Sequence, residues 1–253
     1  MKHFIRILVV ISLLNSCANK KEILYLQDSE SYNNSVIQYS TPTIQPNDIL
    51  KITVGALEAE TAMPYNRTPS TSSQGGNLEV MQLEGYIVNE DYSINFPELG
   101  QINTKGLTTM QLQTKITELL QNGGHLKNPT VNVRLLNAKV TVLGEVNRPG
   151  TFNFTEQNIT LLQALGYAGD LTINGKREDI LIMRESDSLR EISHINITSA
   201  EVLESPFYNI KPNDVIYVGP NEPKVKSAGF VGNTGTLISV ISILLSTIVL
   251  ITR

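Results

Sequence analysis

Ile44-Gln45-Pro46-Asn47-Asp48-Ile49-Leu50-Lys51-Ile52 returns near the other end of the chain as Ile210-Lys211-Pro212-Asn213-Asp214-Val215-Ile216-Tyr217-Val218. Each copy is turn chemistry followed by a strand. Pro fixes φ, while Asn and Asp accept unusual backbone angles and bond to nearby amides. The β-branched run that follows suits a pleated, half-buried surface. Pro46, Asn47, Asp48, Pro212, Asn213 and Asp214 therefore read as structural turns, with no catalytic role for either Asp.

The echo brackets the folded part of the chain, from about Tyr39 to Pro220. Between its copies stand two similar helices. Thr108-Thr109-Met110-Gln111 has the spacing of a capping box, and Leu112, Ile116, Leu119 and Leu120 continue it as an apolar stripe that stops at Gly123-Gly124. Thr160-Leu161-Leu162-Gln163 repeats the cap before a shorter helix ending near Gly166. Strands flank both: Val131, Val133 and Leu135 alternate with polar residues, Val140 and Val142 follow, and Ile180 to Met183 is a fuller apolar run. Single helices set among such strands indicate small α+β units rather than a doubly wound sheet.

Outside the folded part, both ends are apolar. Lys2 and Arg6 supply a positive n-region to a short apolar run, Phe4 to Leu14, too short and one-sided for a spanning helix and typical of an export signal. It ends at Leu14-Asn15-Ser16-Cys17, the pattern of a bacterial lipobox, which makes Cys17 the expected lipid attachment site; the alternative is an ordinary signal peptide with a chance Cys. Removing residues 1–16 takes two cations from a chain with 20 basic and 24 acidic side chains. Acyl chains at about 0.8 kcal/mol per buried CH₂ are thus a better anchor than charge. The absence of Asp after Cys17 fits transport to the outer membrane.

Leu237 to Ile251 carries no charge, Pro or Gly. As a helix it rises roughly 22 Å at about 1.5 Å per residue, short of a ~30 Å bilayer core, though the outer membrane is thinner. Leu237, Ile241, Leu244, Leu245, Ile248 and Ile251 are expected to belong to a membrane helix. Thr236, Ser239, Ser242 and Ser246 fall on one face, suited to a lumen or to contact with other helices. The alternative is a buried core element. Gly229, Gly232 and Gly235, with Lys224 and Lys226, read as a flexible basic approach to this segment.

Composition excludes several classes. The chain has 253 residues, 41% hydrophobic and 17% charged, so it is not disordered, and its acidic balance argues against nucleic acid. One Cys allows neither an internal disulfide nor a Cys-rich metal site. His3 lies in the signal, and His125 and His194 lack metal-ligand spacing. Neither a nucleophile elbow nor a P-loop occurs. Glu84, Asp91 and Glu98 are carboxylates in range of one another in sequence, but read as solvated surface rather than a glycosidase pair. No metal, no cofactor and no catalytic residue is expected, and the chain is not read as an enzyme.

With these residues in place, the sequence resembles the outer-membrane polysaccharide-export family (Wza-like) over roughly 39–219. Tyr39 and Ile44 to Ile52 match the start of the export domain, with Asn47 where the family usually has Gly. Tyr92 to Gly100 resembles its central hairpin, and Asn128-Pro129-Thr130-Val131-Asn132-Val133 its end. Val142-Leu143-Gly144-Glu145-Val146-Asn147-Arg148-Pro149-Gly150, Ala168-Gly169-Asp170-Leu171 and Ile180 to Arg184 resemble one soluble-ligand-binding β-grasp (SLBB) module, in which Pro149-Gly150 is expected to form a tight turn and Gly144 a close backbone approach.

The resemblance implies an α+β chain made of an export domain plus a β-grasp-like SLBB module, followed by a single C-terminal transmembrane helix. The expected divisions are signal peptide 1–16, tether 17–38, export domain 39–136, SLBB module 137–219, linker 220–236 and membrane helix 237–252. The resemblance further implies a homo-oligomeric ring in the outer membrane, lipid-anchored with most of the chain in the periplasm. It would export a capsular or exopolysaccharide cargo with an inner-membrane polysaccharide co-polymerase, often fused or paired to a tyrosine kinase. The rival reading is a periplasm-facing lipoprotein scaffold or carbohydrate-binding module without a pore.

Overall fold

The computed structural model describes residues 23–33, 41–67, 82, 84–186, 189–228 and 234–251. Residues 1–16, Cys17 and Thr252 lie outside the described residues, as do 34–40 and 229–233 of the expected tether and linker.

Twelve strands, β1 (Ile49–Gly55), β2 (Tyr86–Ile87), β3 (Ser93–Phe96), β4 (Gly100–Asn103), β5 (Thr130–Leu135), β6 (Lys139–Gly144), β7 (Gly150–Asn153), β8 (Ile159–Thr160), β9 (Gly175–Ser186), β10 (Leu189–Ile195), β11 (Asn209–Ile210) and β12 (Val215–Pro220), are described. The α-helices are α1 (Ala59–Ala62), α2 (Thr109–Asn122), α3 (Leu161–Tyr167), α4 (Glu222–Ser227) and α5 (Thr234–Ile251).

The first module is built on the antiparallel sheet β2-β1-β5, with the β3–β4 hairpin and α2 beside it. Period-2 alternation turns Leu50, Ile52 and Val54 inward with Val131 and Val133. Both halves of the capping box form: Gln111 N donates to Thr108 Oγ1 at 3.2 Å, and Thr108 N to Gln111 Oε1 at 2.9 Å. One face of α2 then buries Leu112, Ile116 and Leu120 completely. Each contributes on the order of 1.5–3 kcal/mol relative to exposure. Leu119, expected on that stripe, is 39% exposed; it stands about 100° from Leu120 on the helical wheel, at the edge of the packed seam.

The second module is a five-stranded mixed sheet, β10-β9-β12-β6-β7, in which only β12 and β6 run parallel. Its buried face carries Val140, Val142, Ile180, Ile182, Ile216 and Val218, packed with α3 residues Leu161, Ala164 and Leu165. The second capping box closes at Thr160 and Gln163. Gly144 has φ 89°, and a Cβ there would stand 2.0 Å from the Val218 carbonyl oxygen, so the close approach requires glycine. Pro149-Gly150 does not form a tight turn: Gly150 is the first residue of β7, opposite Val142. The loop before it is shaped instead by Asn147 N and Arg148 N, which donate to the Asp170 and Ala168 carbonyls beyond α3.

The repeated stretches are the middle strands of the two sheets, β1 of three and β12 of five. Their turns superpose in detail. Asn47 and Asn213 have φ 68° and 69°, and the Asp48 and Asp214 amides each donate to the residue three back, Gln45 and Lys211, at 3.2 Å. Pro second and a left-handed third residue make a type II turn. Asp48 Oδ2 and Asp214 Oδ2 accept the Gln45 and Lys211 amides at 2.8 Å each.

The surroundings of the two carboxylates differ. Arg184 grips Asp214 through Nε at 3.0 Å and Nη2 at 2.7 Å, with both residues buried, and Nη2 also reaches the Asn209 carbonyl at 2.9 Å. Asp48 is as deeply buried and has no ion-pair partner among the described residues. Burial pushes its carboxyl up to about 6, against the pull of the Gln45 amide.

The seam between modules is short. Leu135 packs on both cores. Asn137 accepts the Ile49 amide at 2.9 Å and donates to the Asn47 carbonyl at 2.9 Å, tying the first turn to the connection between β5 and β6.

Three expectations change. Part of the tether over 17–38 is docked: Leu26 N and Gln27 N donate to the Ile197 and Thr198 carbonyls, and Tyr25 and Leu26 pack on the second module's core. Part of the linker is helical: Asn221 caps α4, and Lys226 pairs with Glu222 one turn away. The apolar segment expected at 237–252 is helical as α5, which starts three residues earlier. No helix among the described residues is long and apolar enough to cross a membrane. Eighteen residues rise about 27 Å against a hydrocarbon core of about 30 Å, and Ser and Thr dilute the apolar face.

Candidate functional site

Among the described residues, no group of three His, Cys, Asp or Glu could hold a metal ion. His125 Nδ1 faces the Tyr65 hydroxyl at 3.2 Å, and His194 Nδ1 faces Asp179 at 2.6 Å. Asp91 is spent on the Ser93 amide and hydroxyl and on Gln101, which hold its carboxyl below the usual range. Glu98 sits at the hairpin turn with φ 60°.

What the fold assembles is one end of the second module. β12 leaves the sheet where Pro220 pairs with Gly175, and Asn221 N donates to the Asn174 carbonyl at 2.7 Å. Arg177 lies two residues along β9, buried, with Nη1 on the Gly175 carbonyl at 3.0 Å. The N-terminal strap comes to this same end. The Tyr25 hydroxyl donates to Asp170, and the Arg177 guanidinium carbon lies 5.5 Å from the Tyr25 ring centroid. Burial and the Asp170 carboxylate raise the Tyr25 phenol well above its ordinary range. Three residues on, Asp28 accepts the Ser199 hydroxyl at 2.8 Å and the Ala200 amide at 2.5 Å, and these bonds lower its carboxyl. The strap and the exit of β12 therefore meet at one pole of the second module.

Beyond that pole, α5 exposes apolar side chains around its circumference: Ile238, Val240, Ile241, Ile243, Leu245 and Leu250. Leu237, Leu244, Ile248 and Ile251 are on the helix, but their side chains, like that of Thr236, fall outside the described residues. The hydroxyl stripe is not uniform. Ser239 Oγ donates back to the Gly235 carbonyl at 2.8 Å, as Thr247 does to Ile243 at 2.6 Å. Ser242 and Ser246 instead floor a groove of about 380 Å³ walled by Ile243, Thr247 and Leu250. Small residues four apart between larger ones let a second helix approach closely.

Sequence reasoning found the turns and the Ser residues but missed Tyr25, Asp28, Asn137 and the Arg184–Asp214 pair. Each acts across a long separation that no local spacing announces. Only the Asn-Asp echo hinted that Asp214 had a structural duty.

The fold is thus an α+β module on a three-stranded sheet followed by a second module on a five-stranded mixed sheet. Residues 38–136 match the family described as "Polysaccharide biosynthesis/export protein", and residues 139–190 match the SLBB domain. The chain is 30% identical over 146 residues to "EPS I polysaccharide export outer membrane protein EpsA" of Ralstonia solanacearum, covering 54% of this chain and 37% of the relative. It is 32% identical over 121 residues to the protein of that name from Ralstonia nicotianae, covering 46% and 30%. The matches thus span about a third of these relatives' lengths. The chain therefore carries a polysaccharide biosynthesis/export domain followed by an SLBB module.

Proposed function

We propose that this chain is an outer-membrane lipoprotein that assembles as an oligomeric ring and exports an exopolysaccharide or capsular polysaccharide. The observation that carries the reading is the shared pole: the strap and the exit of β12 meet at one end of the SLBB module, ahead of a helix with apolar exposure all round. Cys17 stands eight positions before Tyr25, so an acyl anchor there lies within about 29 Å of the pole at ~3.6 Å per residue. In this reading the SLBB module stands next to the outer membrane and the export domain deeper in the periplasm, toward an inner-membrane co-polymerase linked to a tyrosine kinase. The Ralstonia relatives, named as polysaccharide export outer membrane proteins, support the cargo.

In this reading α5 enters the membrane as one stave among several. Its Ser242–Ser246 groove receives a neighbouring helix, and the ring supplies the packing that a lone helix of this length lacks. A poreless scaffold draws support from that same shortness. Labelling decides between them. A Cys placed at position 253 is expected to react with an impermeant maleimide on intact cells, in a strain whose surface polysaccharide is normal. Absence of surface labelling in such a strain overturns the channel.

A further inference from the structure

Arg67, Gly85, Tyr86, Ile87, Asn89 and Asn95 line a cleft of about 220 Å³ on the export domain. Its cation is held in place by groups that carry no charge. Arg67 Nη1 donates to the Gly85 carbonyl at 2.6 Å and to the Glu84 carbonyl at 3.3 Å. The guanidinium carbon lies 4.2 Å from the centroid of the Tyr86 ring, which stacks on Phe96 with centroids 5.4 Å apart. Among the described residues no carboxylate pairs with Arg67, and its Nε and Nη2 donate to none of them. That unspent edge is the fork that accepts a carboxylate in two parallel bonds.

Around it are polar groups with capacity to spare. Asn89 Nδ2 donates to Ser93 Oγ at 3.1 Å, which leaves its carbonyl open, and the Asn95 amide makes no bond to another described residue. The buried Tyr86 hydroxyl has no partner either. A cleft smaller than the ~300–1,000 Å³ of typical small-molecule sites suits one unit of a longer chain.

We propose that this cleft binds a single acidic sugar unit of the exported polymer: Arg67 takes its carboxylate, and Asn89 and Asn95 take its hydroxyls. The inference rests on the export reading and names the substrate class within it. One fork per copy is weak by itself. A ring of copies offers equivalent forks, so a polymer carboxylate released by one Arg67 is recaptured by another, and the chain is guided without being trapped. A carboxylate on a second copy of this chain is the competing occupant; the amides, matched to hydroxyls, favour the sugar.

The test is affinity electrophoresis of the detergent-solubilised full chain through gels containing polygalacturonate or dextran. Polygalacturonate is expected to retard the protein and dextran much less. Arg67→Gln should weaken the polygalacturonate retention by roughly ten- to a hundredfold, the range of one charge-assisted pair, while Arg67→Lys retains part of it. Asn95→Asp serves as the second variant, because the Asn95 side chain is exposed and bonds to no other described residue; its added charge should repel the polymer. Equal retention by both polymers overturns the proposal, as does Arg67→Gln behaving like the parent. A change in oligomeric state without a change in retention assigns Arg67 to the neighbouring copy and also overturns it. These outcomes are separate from the export reading, which fails if deleting the chain leaves surface polysaccharide unchanged.

Discussion

The two Asn-Asp turns share a backbone and differ in charge environment, so one substitution made at both sites should act in opposite directions. At Asp48 the folded carboxyl is raised from 3.8 to about 6. A shift of about two units at ~1.4 kcal/mol each makes the ionised group cost on the order of 3 kcal/mol at neutral pH. The sign follows from linkage: the contribution of Asp48 is fully present below about pH 4 and is lost as pH rises through about 6. Asp48→Asn keeps an oxygen for the Gln45 amide, 2.8 Å away, and cannot ionise. It should stabilise the export domain at pH 7, match the parent near pH 4, and flatten the slope between. Asp214→Asn leaves Arg184, with a side chain 5% exposed, buried without its counter-charge. Breaking such a pair costs about 3–5 kcal/mol. Urea unfolding of the full chain followed by circular dichroism reads both effects. With m near 1–3 kcal/mol per M, 3 kcal/mol moves a midpoint by about 1–3 M. A loss of stability in Asp48→Asn at pH 7 comparable to that of Asp214→Asn refutes the reasoning, as does an unchanged pH slope.

Two further outcomes are expected. Gly144→Ala should destabilise the SLBB module by more than the ~1–3 kcal/mol of a strained backbone angle alone, because its Cβ would meet the Val218 carbonyl at 2.0 Å; an unchanged urea midpoint refutes this. Asp28→Ala should release the strap, speeding amide exchange at Leu26, Gln27 and Ala200 roughly five- to tenfold, the scale of a lost cap, while β9 exchange stays as it was. Equal acceleration in β9 would show instead that the strap and the module open as one unit.

How much of this was legible in the sequence depends on the range of each interaction. Capping boxes, the Pro-Asn-Asp turns and period-2 strands are written within a few residues, and the structure forms them where their spacing puts them. Leu119 was misplaced because hydrophobicity alone does not distinguish the centre of a helical stripe from its edge. Pro149-Gly150 looked like a turn by composition, yet Asn147 and Arg148, bonded to carbonyls beyond α3, shape that loop from across the module. Tyr25 and Asp170, or Asp28 and Ser199, are separated by most of the folded chain. Their pairing rests on the tertiary arrangement, and a polar, turn-prone composition between Ala18 and Gln38 gave no sign of it.

The strap also alters what a short C-terminal helix has to accomplish. A free tether of the expected length would let an acyl anchor and α5 explore the membrane separately, each carrying the attachment alone. In the proposed assembly, docking Tyr25 and Asp28 beside the exit of β12 would bring the acyl anchor and α5 to one pole, so insertion of either would raise the effective concentration of the other at the bilayer. In the proposed assembly this lets α5 remain modest in length and rich in Ser and Thr, features that weaken a lone span but favour close packing with its copies. The helix's brevity and the strap's attachment, which read as unrelated features in the linear chain, then become two halves of one membrane-facing device.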